Sequence, residues 1–148
     1  FYRLYKNIPC SFKPLIWILK KLYILSEFPY GCEIHPGSDI GPGLYIGHPW
    51  NITVNGKVKI GANCSIHKNV TIGQESRGKR NGAPIIGDCV WMGINATIVG
   101  KITIGDDVMI APNSFVNCDV PSHSIVYGNP CVIRPKENAT EGYINNKV

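Results

Sequence analysis

The chain predicts an all-β fold, a parallel β-helix preceded by a short helical arm, and three features of the sequence predict it. Isoleucine, valine or methionine returns every sixth residue through most of the length. Turn-forming residues recur three places beyond those positions, and the period breaks only twice, at polar segments. Six is neither the 3.6 of an α-helix nor the 2 of an alternating strand; it arises when short strands form successive faces of a coil and each coil buries its aliphatic residue against the next. A β-sandwich would space its strands at roughly 8–12 residues without holding one phase.

The arm occupies residues 1–30. Its apolar stretch from Leu15 to Leu25 is interrupted by Lys20 and Lys21, whereas a helix that spans a ~30 Å hydrocarbon core needs about 20 apolar residues. It therefore reads as an amphipathic helix and not a membrane span. Pro14 suits a first helical turn. Leu15, Trp17, Ile18, Leu22 and Leu25 offer one apolar face for the first coil or a neighbouring subunit.

The β-helix follows over 31–136, with a loop at 74–84 and a tail at 137–148. One register runs Ile34, Ile40, Ile46, Ile52, Val58; a second runs Val54, Ile60, Ile66, Ile72; a third runs Ile86, Met92, Ile98, Ile104, Ile110, Val116. Corners between faces need positive φ. Gly43, Asn63, Asn69, Cys89, Asn95, Asp107 and Asn113 stand at the corner positions, and all but Cys89 are types that enter the left-handed region at little cost.

At 148 residues the chain is of single-domain size. A net charge of +5 does not by itself argue for nucleic acid and suits a patch for a phosphorylated small molecule equally well. Cys10, Cys32, Cys64, Cys89, Cys118 and Cys131 form no CxxC pair and no cluster of zinc spacing, so no metal is expected. They read as small apolar residues or free thiols of a reducing, cytoplasmic compartment.

Interruptions of a strict solenoid are where binding residues are carried. The first break follows Gly47-His48-Pro49-Trp50-Asn51; the second crosses the basic, glycine-rich stretch from Gln74 to Pro84. Of four histidines, His67 is expected to point outward beside Ile66, His123 belongs to the tail, and His35 has packing to do in the first coil. His48, before a proline at a register break, is the candidate general base. A histidine base needs a partner that fixes its tautomer and stabilises the imidazolium. Glu33 is the candidate, on the expectation that three hexads make an eighteen-residue coil and that fifteen residues return the chain to the neighbouring layer.

Cys32-Glu33-Ile34-His35-Pro36, Ile40-Gly41-Pro42-Gly43 and Gly47-His48 resemble the start of the catalytic domain of serine acetyltransferases. The resemblance continues through Val70-Thr71-Ile72-Gly73, Val90-Trp91-Met92-Gly93, Ile110-Ala111-Pro112-Asn113-Ser114 and Gly128-Asn129-Pro130, covering about residues 30 to 136. It implies a left-handed parallel β-helix and a homotrimer with intersubunit active sites. It also implies acetyl-CoA as cosubstrate, His48 as the base that deprotonates an acceptor hydroxyl, and Glu33 as its orienting group. Gly93 and Ala111 match small positions that line the pantetheine groove in that family, with Arg134 and Lys136 as candidates for the CoA phosphates.

The departures concern the acceptor. The serine enzymes generally carry aspartate where Glu33 stands, and an Arg-His pair where Gly82 and Ala83 stand; Arg77 and Arg80 lie earlier in the loop. The long helical domain and the isoleucine ending are lacking. Short relatives from surface-polysaccharide loci share the abbreviated arm and the tail style, which points to a sugar hydroxyl as acceptor, with Trp50 able to stack on a pyranose. L-Serine is the alternative acceptor, and a noncatalytic solenoid scaffold or a drug-modifying acetyltransferase are further alternatives.

Overall fold

The computed structural model describes residues 13–27, 29, 31–145 and 147–148; Cys10 and the arm before residue 13 lie outside them. Among the described residues one helix, α1 (Lys13–Glu27), precedes fifteen short strands: β1 (Glu33–Ile34), β2 (Asp39–Ile40), β3 (Tyr45–Gly47), β4 (Thr53–Val54), β5 (Lys59–Ile60), β6 (Ser65–His67), β7 (Thr71–Gly73), β8 (Ile85–Ile86), β9 (Trp91–Met92), β10 (Thr97–Val99), β11 (Thr103–Ile104), β12 (Val108–Ile110), β13 (Phe115–Val116), β14 (Ser124–Tyr127) and β15 (Val132–Pro135). They form three sheets. The first stacks β1, β4, β7, β10 and β13, the second β2, β5, β8 and β11, and the third β3, β6, β9, β12 and β14, edged by β15. All pairings are parallel except β14 with β15. This is the expected β-helix, each strand hydrogen-bonding to the one a full coil away.

The seven corner residues named from the sequence all take positive φ, from 52° at Asp107 to 75° at Gly43. Cys89 does so too (54°), although its side chain offers no local compensation. The coil length departs from the expectation. Thr71 to Thr97 and Glu33 to Thr53 are rung partners, so the coils beginning at those strands hold twenty-six and twenty residues, while Thr53 to Thr71 is the regular eighteen. The eight extra residues leave as the loop near 74–81, and the two extra lie in the corner after β3.

The aliphatic registers also resolve into two inward columns. Val54 stands opposite Ile34, so Ile52 and Val58 do not continue the series of Ile34, Ile40 and Ile46. With Cys64, Val70, Val90 and Ala96 they form a companion column two residues before each strand's core residue. Both columns are buried except at Ile40 and Ile46, which are partly buried. A fully buried Ile side chain contributes about 1.5–3 kcal/mol, and truncating one such as Ile98 to alanine costs about 2–5 kcal/mol. Burial also pushes the Cys64 thiol up to about 12, which leaves it an inert core group. Cys118 and Cys131, thirteen residues apart in sequence, bring their Sγ atoms to 3.4 Å.

The helix does not bury the face expected of it. Trp17, Ile18, Leu22 and Leu25 are exposed, and the Leu15 side chain lies outside the described residues. Among the helical side chains described, the buried one is Tyr23, whose hydroxyl donates to the Ile34 carbonyl. No helix among the described residues is long and apolar enough to cross a membrane.

The tail is a strap. Asp107 accepts hydrogen bonds from the Ala139 and Thr140 amides (both 3.0 Å) and from the Thr140 hydroxyl (2.7 Å). From there the chain runs back along the corner between the second and third sheets. The Tyr143 ring lies 4.8 Å from that of Trp91, and the Asn63 side chain pairs with both backbone groups of Val148.

Candidate active site

The third sheet's outer face carries the candidate chemistry. Each strand there turns its core residue inward and the next residue outward, so the residue after Ile46, Ile66, Met92, Ile110 and Val126 belongs to one outward column. That column reads Gly47, His67, Gly93, Ala111, Tyr127. It is small except at His67 and at its upper end. A Cβ on Gly93 would lie 2.7 Å from the Pro112 nitrogen, so that position admits no side chain.

His48 begins the corner just below this column. It is exposed, with φ 57°, and its carbonyl accepts from the Trp50 amide at 2.7 Å. Trp50 is half exposed and its carbonyl accepts from Asn69. At the top of the column, the Arg134 guanidinium lies 5.7 Å over the Tyr127 ring, and exposed Lys136 follows β15 with its amide bonded to the His123 carbonyl. The structure thus brings Gly93, Ala111, Arg134 and Lys136 onto the one face that His48 adjoins.

Glu33 and the basic loop stand on other elements of this chain. Glu33 is exposed on the first sheet opposite Thr53, five residues past His48, and no hydrogen bond or ion pair joins it to His48. The coil that carries both holds twenty residues and not the expected eighteen. The loop emerges between the first and second sheets, whereas His48 sits between the third and first. Glu75 and Gly82 exchange backbone hydrogen bonds of 3.0 and 2.9 Å, pinching the loop at its base. Arg80 is committed to Glu75 at 3.0 Å, and Arg77 is exposed.

Two other histidines have structural partners. His35 Nδ1 accepts from the Gly37 amide, and His123 Nδ1 contacts Asp107 at 2.9 Å. Among the described residues no group of three or more His, Cys, Asp or Glu side chains is placed to hold a metal ion.

His67 is the residue that sequence reasoning passed over. It faces outward as expected, and it is half-buried. Its ring packs 4.8 Å from Trp91 and 6.3 Å from Tyr45. It stands opposite Gly47, one residue from His48. Burial, and secondarily the neighbouring His48, hold its imidazole below the usual histidine value. The signal was available: His67 follows a core residue at the offset that singles out Gly93 and Ala111.

Comparisons with known proteins bear on the family and the fold. Residues 83–118 match the family model "Bacterial transferase hexapeptide (six repeats)". The serine acetyltransferase of Helicobacter pylori is 36% identical over 113 residues, spanning 76% of this chain and 66% of that protein. That of Staphylococcus xylosus is 41% identical over 120 residues, 75% of this chain and 55% of that protein. Among solved structures, the Neisseria gonorrhoeae serine acetyltransferase in complex with serine superposes with TM-score 0.75 at 31% identity, over 88% of this chain and 53% of that one. The Brucella abortus serine acetyltransferase gives TM-score 0.79 at 29% identity, over 94% and 56%. The chain thus spans between about half and two thirds of the relatives it matches. It belongs to the hexapeptide-repeat acyltransferases, as a serine acetyltransferase-like member.

Proposed function

We propose that the protein is an acetyl-CoA-dependent O-acetyltransferase, with L-serine the favoured acceptor. The observation that carries the reading is the outward column of Gly47, Gly93 and Ala111 rising from His48. Its five rungs span about 19 Å at roughly 4.8 Å per rung, a length suited to an extended pantetheine arm. The thioester would lie at the His48 end and the phosphates at Arg134 and Lys136. L-Serine is favoured because the relatives and superposed structures are serine acetyltransferases, one of them holding serine.

In this reading the acceptor hydroxyl attacks the thioester carbonyl while His48 removes its proton. The tetrahedral intermediate collapses, and the departing CoA thiolate takes the proton back from the imidazolium. No acyl-enzyme forms. Proton transfer of this kind contributes about 10²–10⁴-fold, with positioning supplying much of the rest.

The loop and His48 occupy different corners of the coil, so Arg77 and Arg80 reach an acceptor at His48 only from an adjacent copy. A homotrimer with sites between subunits meets that requirement. A sugar hydroxyl is the second reading, favoured by Gly82 and Ala83 in the loop and by the half-exposed Trp50 beside His48. Thiol release from acetyl-CoA, measured against L-serine and a panel of sugars, tests both. Serine turnover supports the first reading and sugar turnover the second. No release with either class, or full activity in His48→Ala, overturns the proposal.

A further inference from the structure

Helix α1 carries an apolar face that neither the core nor the candidate active site uses. At 3.6 residues per turn, Trp17, Ile18, Lys21, Leu22 and Leu25 fall within one arc of about 140°. The four apolar side chains of that arc are 44–66% exposed. Tyr23, which is buried and bonded to the Ile34 carbonyl, lies on the other side of the helix with half-buried Ile16 and Leu19. The arc therefore points away from the first coil. Single exposed apolar residues need no explanation, but four that adjoin on one face mark a contact surface.

Charge selects what that surface meets. Residues 1–30 hold Arg3, Lys6, Lys13, Lys20 and Lys21 against one acid, Glu27, so four of the chain's five net positive charges belong to the arm. A second copy docking helix to helix would bring the same four charges to the contact. The arc also offers only on the order of 400 Å², about half of what each partner of a standard interface buries. Lys21 stands inside the arc with its ammonium 3.9 Å from the centroid of the Trp17 ring. A protein partner would have to bury that ammonium, and lysine is depleted from the cores of such interfaces. A lipid surface accommodates it, because the stem lies among apolar groups while the ammonium reaches the headgroups, the level at which an indole also settles.

We propose that α1 is an interfacial anchor that seats the protein on the surface of an anionic phospholipid bilayer. Its fifteen residues rise about 22 Å, short of a hydrocarbon core of ~30 Å, so the helix lies in the plane of the surface and does not cross it. The apolar arc enters the boundary between headgroups and acyl chains, the basic residues of the arm meet lipid phosphates, and the solenoid stands in water. Attachment by one such helix is reversible. The anchor does not depend on the transferase reading, since no residue of the arm belongs to the candidate active site.

Cosedimentation of the full chain with vesicles tests it. Vesicles of phosphatidylcholine alone are compared with vesicles that contain about 30% phosphatidylglycerol. Wild type should bind the anionic vesicles and leave them at about 0.5 M salt, where surface charge is screened. Leu22→Gln combined with Leu25→Gln should weaken binding about tenfold or more, the ratio expected from withholding two half-exposed leucines. Lys21→Glu should weaken it about fivefold or more. Sedimentation velocity and circular dichroism should be unchanged in both, because the substituted side chains are exposed. Trp17→Gln should weaken binding in the same way and covers the case in which the double variant fails to fold. No binding by wild type, binding that ignores phosphatidylglycerol, or undiminished binding in the variants overturns the anchor. A smaller assembly in the double variant also overturns it, and assigns the face to contact between copies.

Discussion

Gly47 and His67 stand opposite each other in the register of β3 and β6, and a Cβ placed on Gly47 would lie 2.6 Å from His67 Nδ1. Real side chains do not approach so closely. Gly47→Ala must therefore push the imidazole off its seat between Tyr45 and Trp91. A displacement near 1 Å beside reacting groups costs up to about 10²-fold in rate. Thiol release should fall by about ten- to a hundredfold while far-UV circular dichroism stays that of wild type, because Gly47 faces outward and touches no core column.

That no hydrogen bond or ion pair joins Glu33 to His48 predicts unequal mutants. His48→Gln should lower turnover by about 10²–10⁴-fold, the contribution of a positioned base. Glu33→Gln should change it by less than about threefold, since a carboxylate without contact to the imidazole can neither set its tautomer nor stabilise its charge strongly. Steady-state thiol release measures both. A loss in Glu33→Gln as large as in His48→Gln would mean that the carboxylate reaches a histidine of another copy.

The contrast between these residues shows what the sequence carried. The period of six and the positive-φ corners were legible because they repeat, and each coil restates the same steric demand; even Cys89, the wrong type for its corner, was placed by its neighbours. The twenty-residue coil was not, because Ile52 is as apolar as a strand residue and disguises a companion column as a phase shift. The strap left no periodic trace, since single contacts such as Asp107 with Thr140 and Asn63 with Val148 join positions far apart in sequence.

Asp107 should make docking of the strap depend on pH. Burial would raise its pKa, but hydrogen bonds from His123, from the Thr140 hydroxyl and from the Thr140 and Ala139 amides outweigh it and lower the value from 3.8 to about 2. A depressed carboxylate stabilises its bonded state above its unfolded pKa, so that contribution is full above about pH 4 and lost as pH falls toward 2. His123 runs oppositely. Its pKa is raised, chiefly by the hydrogen bond to Asp107 and then by the nearby Glu137 charge. Its contribution is present below 6.5 and fades as pH rises through the raised value. Hydrogen exchange at the Ala139 and Thr140 amides should therefore be slowest, after correction for intrinsic rates, between about pH 4 and 6. In Asp107→Asn the acid limb should disappear.

Cys118 and Cys131 present a contact that oxidation can make covalent. Their Sγ atoms are 3.4 Å apart, so about 1.3 Å of movement closes a bond of roughly 2.05 Å. Cys118 lies just past β13 and Cys131 just before β15, so the bond would staple the antiparallel edge of the third sheet to the last strand of the first. Burial, and then the hydrogen bond to Cys131, push the Cys118 thiol up to about 11, which keeps it protonated near neutrality and slows exchange there. With oxidised glutathione, one thiolate attacks the glutathione disulfide and the second thiol displaces glutathione from the mixed disulfide. Two glutathione thiols are released and the protein loses two hydrogens. Peptide mapping should find the Cys118–Cys131 link forming faster as pH rises, and the thermal midpoint should increase because a short loop is closed in the unfolded chain. Cys131→Ser should show neither change. A mixed disulfide that persists at Cys118 or Cys131 would mean that the two sulfurs do not reach bonding geometry.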